Sequence, residues 1–474
     1  MGKNAKERKK RRLAAGLEPL ASHLPSPPPS ASPSVGEKRS RTEDDFEEGV
    51  EDPDAGLGLI SQHDLAVTLR TLAALDKDPE LLKSKAMKGL RAAVHQLHAH
   101  TSTGNSIVAR ISDALSDGRW TDSLVLLAEM RYRNQVPKLG TLQRWVRDCD
   151  AARGADGGSP ETRQILKVLD SILRTADPSM VPKPEGATDD PVKMHEPWVG
   201  RERASGDIEI KTAPDVVQHY KSKFKVVFNE PGPARRPPNR YDATLHLSSP
   251  NTIDLSAPTT VHRITHPTIP GCFMLQDVLT PSECSQILTA AESIGFTPDE
   301  PIGGSAADQK SILAHNVFWL ADQTILDPLL ERVKPFLPTE IGGGALAGIT
   351  ARWRVYRYLP GLEYRPHIDG AWPQSGIDET GKYVYDLYGD RRSRLTFLVY
   401  LNDDFEGGGT TFFLPSATEG VMDGRVVTPR AGCILCFPHG DAAGSLLHEG
   451  SAVTKGKKYI IRADVLYMLP PGAK

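Results

Sequence analysis

A chain of 474 residues is too long for one ordinary compact domain, and a prior of about 150 residues per domain allows roughly three units. Its net charge of -3, with 25% charged residues, excludes a protein that coats nucleic acid along its whole length. Five scattered cysteines (Cys149, Cys272, Cys284, Cys433 and Cys436) are too sparse for a disulfide-stapled secreted domain, and no apolar run reaches the length of a membrane span.

Residues 1–57 read as a disordered tail: a basic run, a Pro/Ser stretch and an acidic block with almost nothing apolar to bury. The basic start leads into a short apolar stretch interrupted by Glu18, so no secretory signal is expected. KERKKRR at 6–12 fits a nuclear-import signal, a nucleic-acid-touching arm or a plain solubilising tail, and an intracellular location, nuclear or cytoplasmic, is expected.

Residues 58–176 carry apolar positions at three- and four-residue intervals and predict a small helical domain with a possible protein partner. Within it, 117–150 resembles one helix-turn-helix unit of the pentatricopeptide kind. His95, His98 and His100 lack surrounding carboxylates or thiols and read as surface histidines. Residues 177–257, rich in Pro, Gly and charge, read as a linker or as an extension of the carboxy-terminal domain, with one strand at FKVVF. From 258 to 470 short β-type runs alternate with Gly, Pro and Asp, and the chemistry lies there.

In RVYRYLPGLEYRPHIDG a β-type run ends at Leu359-Pro360-Gly361, then re-extends to place His367 and Asp369 two residues apart. On an extended backbone such residues project to one side, so an imidazole and a carboxylate can reach one metal ion. A third ligand must come from His439 or His448. His448 precedes a strong β-type run, whereas His439 reads as a loop histidine near the rim. Two histidines and a carboxylate form the facial set that leaves open positions on Fe(II).

Alternation extends the reading. In KYIIRADVLY, Tyr459, Ile461, Ala463 and Val465 make an apolar face, leaving Lys458, Ile460 and Arg462 on the other. Cations inside a barrel are costly unless they meet an anion, and a dicarboxylate co-substrate is one. In RLTFLVYLND the same parity puts Thr396, Leu398 and Tyr400 on a mixed face suited to a ligand cavity. Cys433 and Cys436, three apart on a strand pattern, face opposite sides and read as small core residues rather than a metal or redox pair.

Taken together, GCFMLQDVLTPSECSQILTAAESIGF, RYLPGLEYRPHIDG, RSRLTFLVYLND, FEGGGTTFF, PRAGCILCF and HEGSAVTKGKKYIIRADVLY resemble, over about 265–468, the prolyl 4-hydroxylase-like branch of the 2-oxoglutarate and Fe(II) oxygenases. The resemblance implies an α+β chain with a carboxy-terminal double-stranded β-helix (jelly roll) and flanking helices. It makes His367, Asp369 and His448 the ligands of Fe(2+). Lys458, ten positions after the distal histidine, becomes the cation for the far carboxylate of 2-oxoglutarate. Arg462 is the second candidate for that role, Tyr358 and Tyr400 are supporting contacts, and Thr396 lines the pocket. O2 and L-ascorbate join 2-oxoglutarate as small-molecule partners, with succinate and CO2 released as a C–H bond is hydroxylated.

The insertion between Asp369 and Arg391 is expected to form a substrate-facing loop, and an intracellular protein side chain, prolyl among others, is the expected substrate. Two further readings compete. A nucleic-acid demethylase of the same superfamily would bind oligonucleotides with steep salt dependence; an inactive scaffold would bind iron without turnover.

Overall fold

A computed structural model of the chain describes residues 61–77, 81, 84–101, 106–153, 158–177, 190–201, 206–231, 243–298 and 314–470. The tail expected at 1–57, with its basic run, lies outside the described residues. The chain divides into two compact units, Met1–Leu65 and Ala66–Lys474, and the site lies wholly in the second. Among the described residues no helix is long and apolar enough to cross a membrane.

Helices occupy the stretch with helical apolar spacing: α1 (Gln62–Lys77), α2 (Lys88–Thr101), α3 (Ile107–Ser116), α4 (Trp120–Tyr132), α5 (Leu139–Ala152) and α6 (Pro160–Ala176). His95, His98 and His100 fall on α2, and their side chains lie outside the described residues. The unit at 117–150 is α4 and α5, which pack with α3 and α6 around one core that contains Ile111, Leu127, Trp145 and Ile172. Two of these helices start on side-chain caps. Ser106 accepts from Ala109 N–H, and Ser159, with Pro160 next to it, accepts from Thr162 N–H. Ile368, Met422 and Leu447 belong to the same buried cluster, so part of the β structure closes the apolar face of the bundle.

Next come β1 (Val192–Met194), α7 (Pro214–Ser222), β2 (Phe224–Glu230), β3 (Ala243–Ser248), β4 (His262–Thr265), β5 (Phe273–Gln276) and α8 (Pro281–Ile294). After them come β6 (His315–Leu320), α9 (Gln323–Val333), β7 (Glu340–Ile341), β8 (Gly344–Ile349), β9 (Arg352–Tyr358), β10 (Tyr364–His367), β11 (Gly376–Ile377) and β12 (Tyr383–Val384). The remainder is β13 (Arg391–Tyr400), β14 (Glu406–Gly407), β15 (Thr410–Pro415), β16 (Met422–Val427), β17 (Ile434–Pro438), β18 (Leu447–Gly450), β19 (Val453–Lys455) and β20 (Lys458–Met468). An 11-stranded sheet runs β2-β3-β6-β9-β20-β13-β17-β5-β4 with β8 and β7 branching from β20, and a 5-stranded sheet runs β1-β16-β15-β18-β10. Residues 177–257 supply β1 to the small sheet and β2 and β3 to one end of the large one.

Period-two alternation decides what each face of the large sheet touches. Phe397, Val399, Ile461 and Ala463 pack outward against α8 and α9. Leu398, Tyr400 and Ile460 turn inward and meet Phe412 and Val427 of the small sheet. Cys433 lies in the inner cluster and Cys436 in the outer one, and both are free thiols. Helix α8 begins with a capping box in which Thr280 accepts from Glu283 N–H and Glu283 accepts from Thr280 N–H.

The insertion after Asp369 is not a free loop. It folds into the β11–β12 hairpin, whose buried Tyr383 stacks on Phe228 at 4.9 Å. Trp372, Tyr385 and Tyr388 remain exposed.

Candidate active site

Strands β10 and β18 run antiparallel in a register that sets His367 directly opposite His448. Cross-strand partners on one face lie close, and these two rings stand 4.3 Å apart between centroids. The Nδ1–H of His367 donates to Arg365 O at 2.8 Å, and that of His448 donates to Leu446 O at 3.0 Å. Both Nε2 atoms are therefore left with a lone pair, and they lie 3.6 and 3.7 Å from the Asp369 carboxylate. One ligand atom from each of His367, Asp369 and His448 falls within 4.8 Å of the others. Two neutral imidazoles fixed in one tautomer plus one carboxylate make a donor set that fits Fe(II).

The electrostatics keep these donors in their metal-binding protonation states. Burial, reinforced by His448, pushes His367 down to about 3, and burial also lowers His448. For Asp369 burial is the largest effect and opposes ionisation, but Arg462 together with His448, His367 and His439 outweighs it and holds the carboxyl well below its usual range. Arg462 Nη2 forms an ion pair with Asp369 Oδ1 at 3.0 Å, without hydrogen-bond geometry, and Nη1 donates to Asp464 Oδ2 at 2.7 Å.

The second oxygen of Asp369 is served by a buried relay. Thr396 Oγ1 donates to Asp369 Oδ2 at 2.6 Å and contacts His439 Nδ1 at 2.8 Å. Because the threonine proton is committed to the carboxylate, His439 must donate from Nδ1. Its Nε2 then accepts from Ser393 Oγ at 2.7 Å, and Ser393 Oγ accepts from Trp372 N–H at 2.9 Å. His439 is therefore not a loop histidine at the rim, as its FPHGD context suggested. Its N–H donates to Arg394 O, so β17 pairing carries past Pro438, and the residue is only 4% exposed. Burial lowers its pKa to about 3, which keeps the ring neutral, and the contacts with Thr396 and Ser393 select its tautomer.

One cavity is lined by His367, Asp369 and His448 together with Tyr358, Thr396, Lys458 and Arg462. Lys458, opposite Tyr358 in the β9–β20 register, is 1% exposed. Its Nζ donates to Gly408 O at 2.6 Å and sits 5.1 Å from the Tyr358 ring centroid, with no carboxylate partner among the described residues. Burial pushes its pKa down to about 7. Gly408 is left-handed at φ 64, and a Cβ there would sit 3.1 Å from Lys458 Cδ, so glycine is what lets this turn cradle the amine. Tyr400 stands behind the cavity lining, its hydroxyl 2.8 Å from Thr410 Oγ1, and Thr410 is the residue that reaches the cavity.

Residues 353–463 match the family model of the 2OG-Fe(II) oxygenase superfamily. Over that stretch the chain is similar to the prolyl 4-hydroxylase-like 2-oxoglutarate and Fe(II) oxygenases. The chain is 26% identical over 209 residues to prolyl 4-hydroxylase 1 of Arabidopsis thaliana, covering 40% of this chain and 66% of that protein. It is likewise 26% identical over 199 residues to a putative prolyl 4-hydroxylase of Acanthamoeba polyphaga mimivirus, covering 40% and 71%. It thus spans about two thirds of the length of the curated relatives it matches. Among solved structures, the viral collagen prolyl hydroxylase of Paramecium bursaria Chlorella virus-1 with 2-oxoglutarate aligns at TM-score 0.28 and 20% identity, over 42% of this chain and 97% of that one. A Trichoplax adhaerens prolyl hydroxylase, solved with a hypoxia inducible factor peptide fragment, aligns at TM-score 0.28 and 19% identity over 42% and 83%. The matched segment contains the three metal donors His367, Asp369 and His448, so the similarity and the donor set support an oxidoreductase of the Fe(II) and 2-oxoglutarate type.

Several residues around the candidate metal site escape sequence reasoning. Tyr356 was within reach, since it shares the parity of Tyr358 on β9, and His439 shares that of the inward-facing Leu435 and Phe437. Thr410, Tyr364 and Glu449 line the cavity without any preceding signal beyond their neighbourhood to strands.

Proposed function

We propose that this oxygenase hydroxylates a protein side chain, coupling the step to conversion of 2-oxoglutarate into succinate and CO2. The observation that carries the reading is the shared cavity: the His367, Asp369 and His448 donors and a buried Lys458 amine without a carboxylate partner line the same space. An ammonium held out of water is costly unless an anion meets it, and a diacid bound in this cavity would bring that anion. Bound iron and 2-oxoglutarate supply the power to oxidise an unactivated C–H bond.

The protein's part is to hold and orient. His367, Asp369 and His448 bind the metal, and Thr396 fixes the Asp369 carboxylate. Lys458 takes the distal carboxylate, because Arg462 is already engaged by Asp369 and Asp464. Tyr358 packs beside that amine, while Leu398, Phe437 and Ile460 keep water from the chamber. Prolyl is the first side chain to test, since the curated relatives are named prolyl 4-hydroxylases. L-Ascorbate would be the accompanying reductant, and an intracellular protein is the substrate this reading favours.

The deciding experiment measures succinate formed by the purified chain with Fe(II), ascorbate and prolyl-containing peptide libraries. Turnover is expected in the wild type and absent in Asp369→Ala and His448→Ala. Succinate formation that survives intact in Asp369→Ala would sink the assignment.

A further inference from the structure

Helix α5, outside the β structure, grips the metal-binding strand on both sides of His367. The Arg365 guanidinium is bidentate on Asp150 near the end of α5, with Nε to Oδ2 at 2.6 Å and Nη2 to Oδ1 at 2.9 Å, and Nη2 also donates to Asp150 O at 3.1 Å. Two turns earlier on the same helix, Gln143 Nε2 donates to Ile368 O at 2.9 Å. Ile368 itself, the residue between the two ligands, is 4% exposed and buried in the helical core with Trp145 and Val146. The approach is close enough that a Cβ on Gly370 would lie 3.2 Å from Gln143 Nε2.

These contacts fall where they bear on the site. Arg365 is the residue whose carbonyl accepts the Nδ1–H of His367 and so fixes its tautomer and ring plane. Ile368 is the backbone unit that joins His367 to Asp369. A paired, half-buried bidentate bridge is directional in a way that a lone surface ion pair is not. The register between β10 and β18 is irregular between Tyr364 and His367, so ladder hydrogen bonds alone hold this strand loosely where the ligand sits.

We infer that the helical segment is a brace for the metal site, with Asp150, Arg365 and Gln143 as positioning residues that set His367 and Asp369 for the ion. This rests on the metal-site reading proposed above. It assigns the helices a role within the oxygenase, in place of an independent docking module.

Cobalt(II) tests it in the full-length chain, because binding and ligand-field absorption report the donors without turnover. Arg365→Gln is expected to weaken Co(II) binding about tenfold and alter its visible spectrum, in line with the loss seen when partners behind metal ligands are removed. Arg365→Lys should recover part of the affinity, and thermal melting should show that each variant is folded. Gln143→Leu, which leaves the ion pair alone, is expected to weaken binding about threefold and decides the matter if Arg365→Gln does not fold. Wild-type affinity and spectrum in folded Arg365→Gln, or in Gln143→Leu, would overturn the brace while leaving the metal site standing. Failure of the wild type itself to bind Co(II) would instead remove the metal site and the brace with it.

Discussion

Thr396 donates its only hydroxyl proton to Asp369 Oδ2 at 2.6 Å, from strand β13 to the segment just past the end of β10. Behind it, His439 and Ser393 complete a chain in which every donor has one acceptor. That order holds Oδ2, while Arg462 Nη2 lies 3.0 Å from the other oxygen, Oδ1. Thr396→Val keeps the shape but removes the proton, and should weaken metal binding by about tenfold, whereas Thr396→Ser should stay nearer the wild type. Calorimetric titration with Co(II) checks it, and equal affinity in all three proteins would contradict the role.

Lys458 offers a trade between folding and function. Lys458→Met removes a buried amine that forms no carboxylate pair, so the melting temperature should hold or rise. The same change should raise the 2-oxoglutarate KM by roughly a hundredfold, the scale expected when one partner of a desolvated charge pair is lost. A KM close to wild type would move the distal-carboxylate role to Arg462.

The same residue predicts a pH signature. Its folded pKa of about 7 lies below the ordinary 10.5, so between those values the unfolded chain holds the extra proton, and this group's contribution to stability improves as pH rises through that window. Diacid binding runs the other way, because it needs the ammonium. In metal-loaded protein, binding of 2-oxoglutarate should take up close to one proton at pH 8 and almost none at pH 6. Calorimetry in buffers of different ionisation enthalpy measures that uptake, and its absence at pH 8 would rule out Lys458 as the titrating partner.

Trp145 is fully buried in the core that α5 shares with Ile368, Met422 and Leu447. Trp145→Ala should cost about 3–5 kcal/mol. Because the core is common, helix content and 2-oxoglutarate binding should be lost in one denaturant transition. Two separate transitions would show that the helices and sheets fold apart.

The sequence by itself determined the strand periods, the pairing of His367 with Asp369 on one side of an extended chain, and the inward parity of Thr396, Lys458 and Arg462. Those are local facts, fixed by backbone alternation and by the cost of burying a cation. The capped start of α8 was legible for the same reason, since its Thr-Pro-Ser-Glu order satisfies orphan N–H groups within a single turn. Tertiary structure alone decided the rest. Only the β10–β18 register puts His448, and not His439, opposite His367, and only the fold turns His439 into the support of Thr396. The Asp150–Arg365 bridge joins positions 215 residues apart, a separation at which composition and periodicity carry no information about contact.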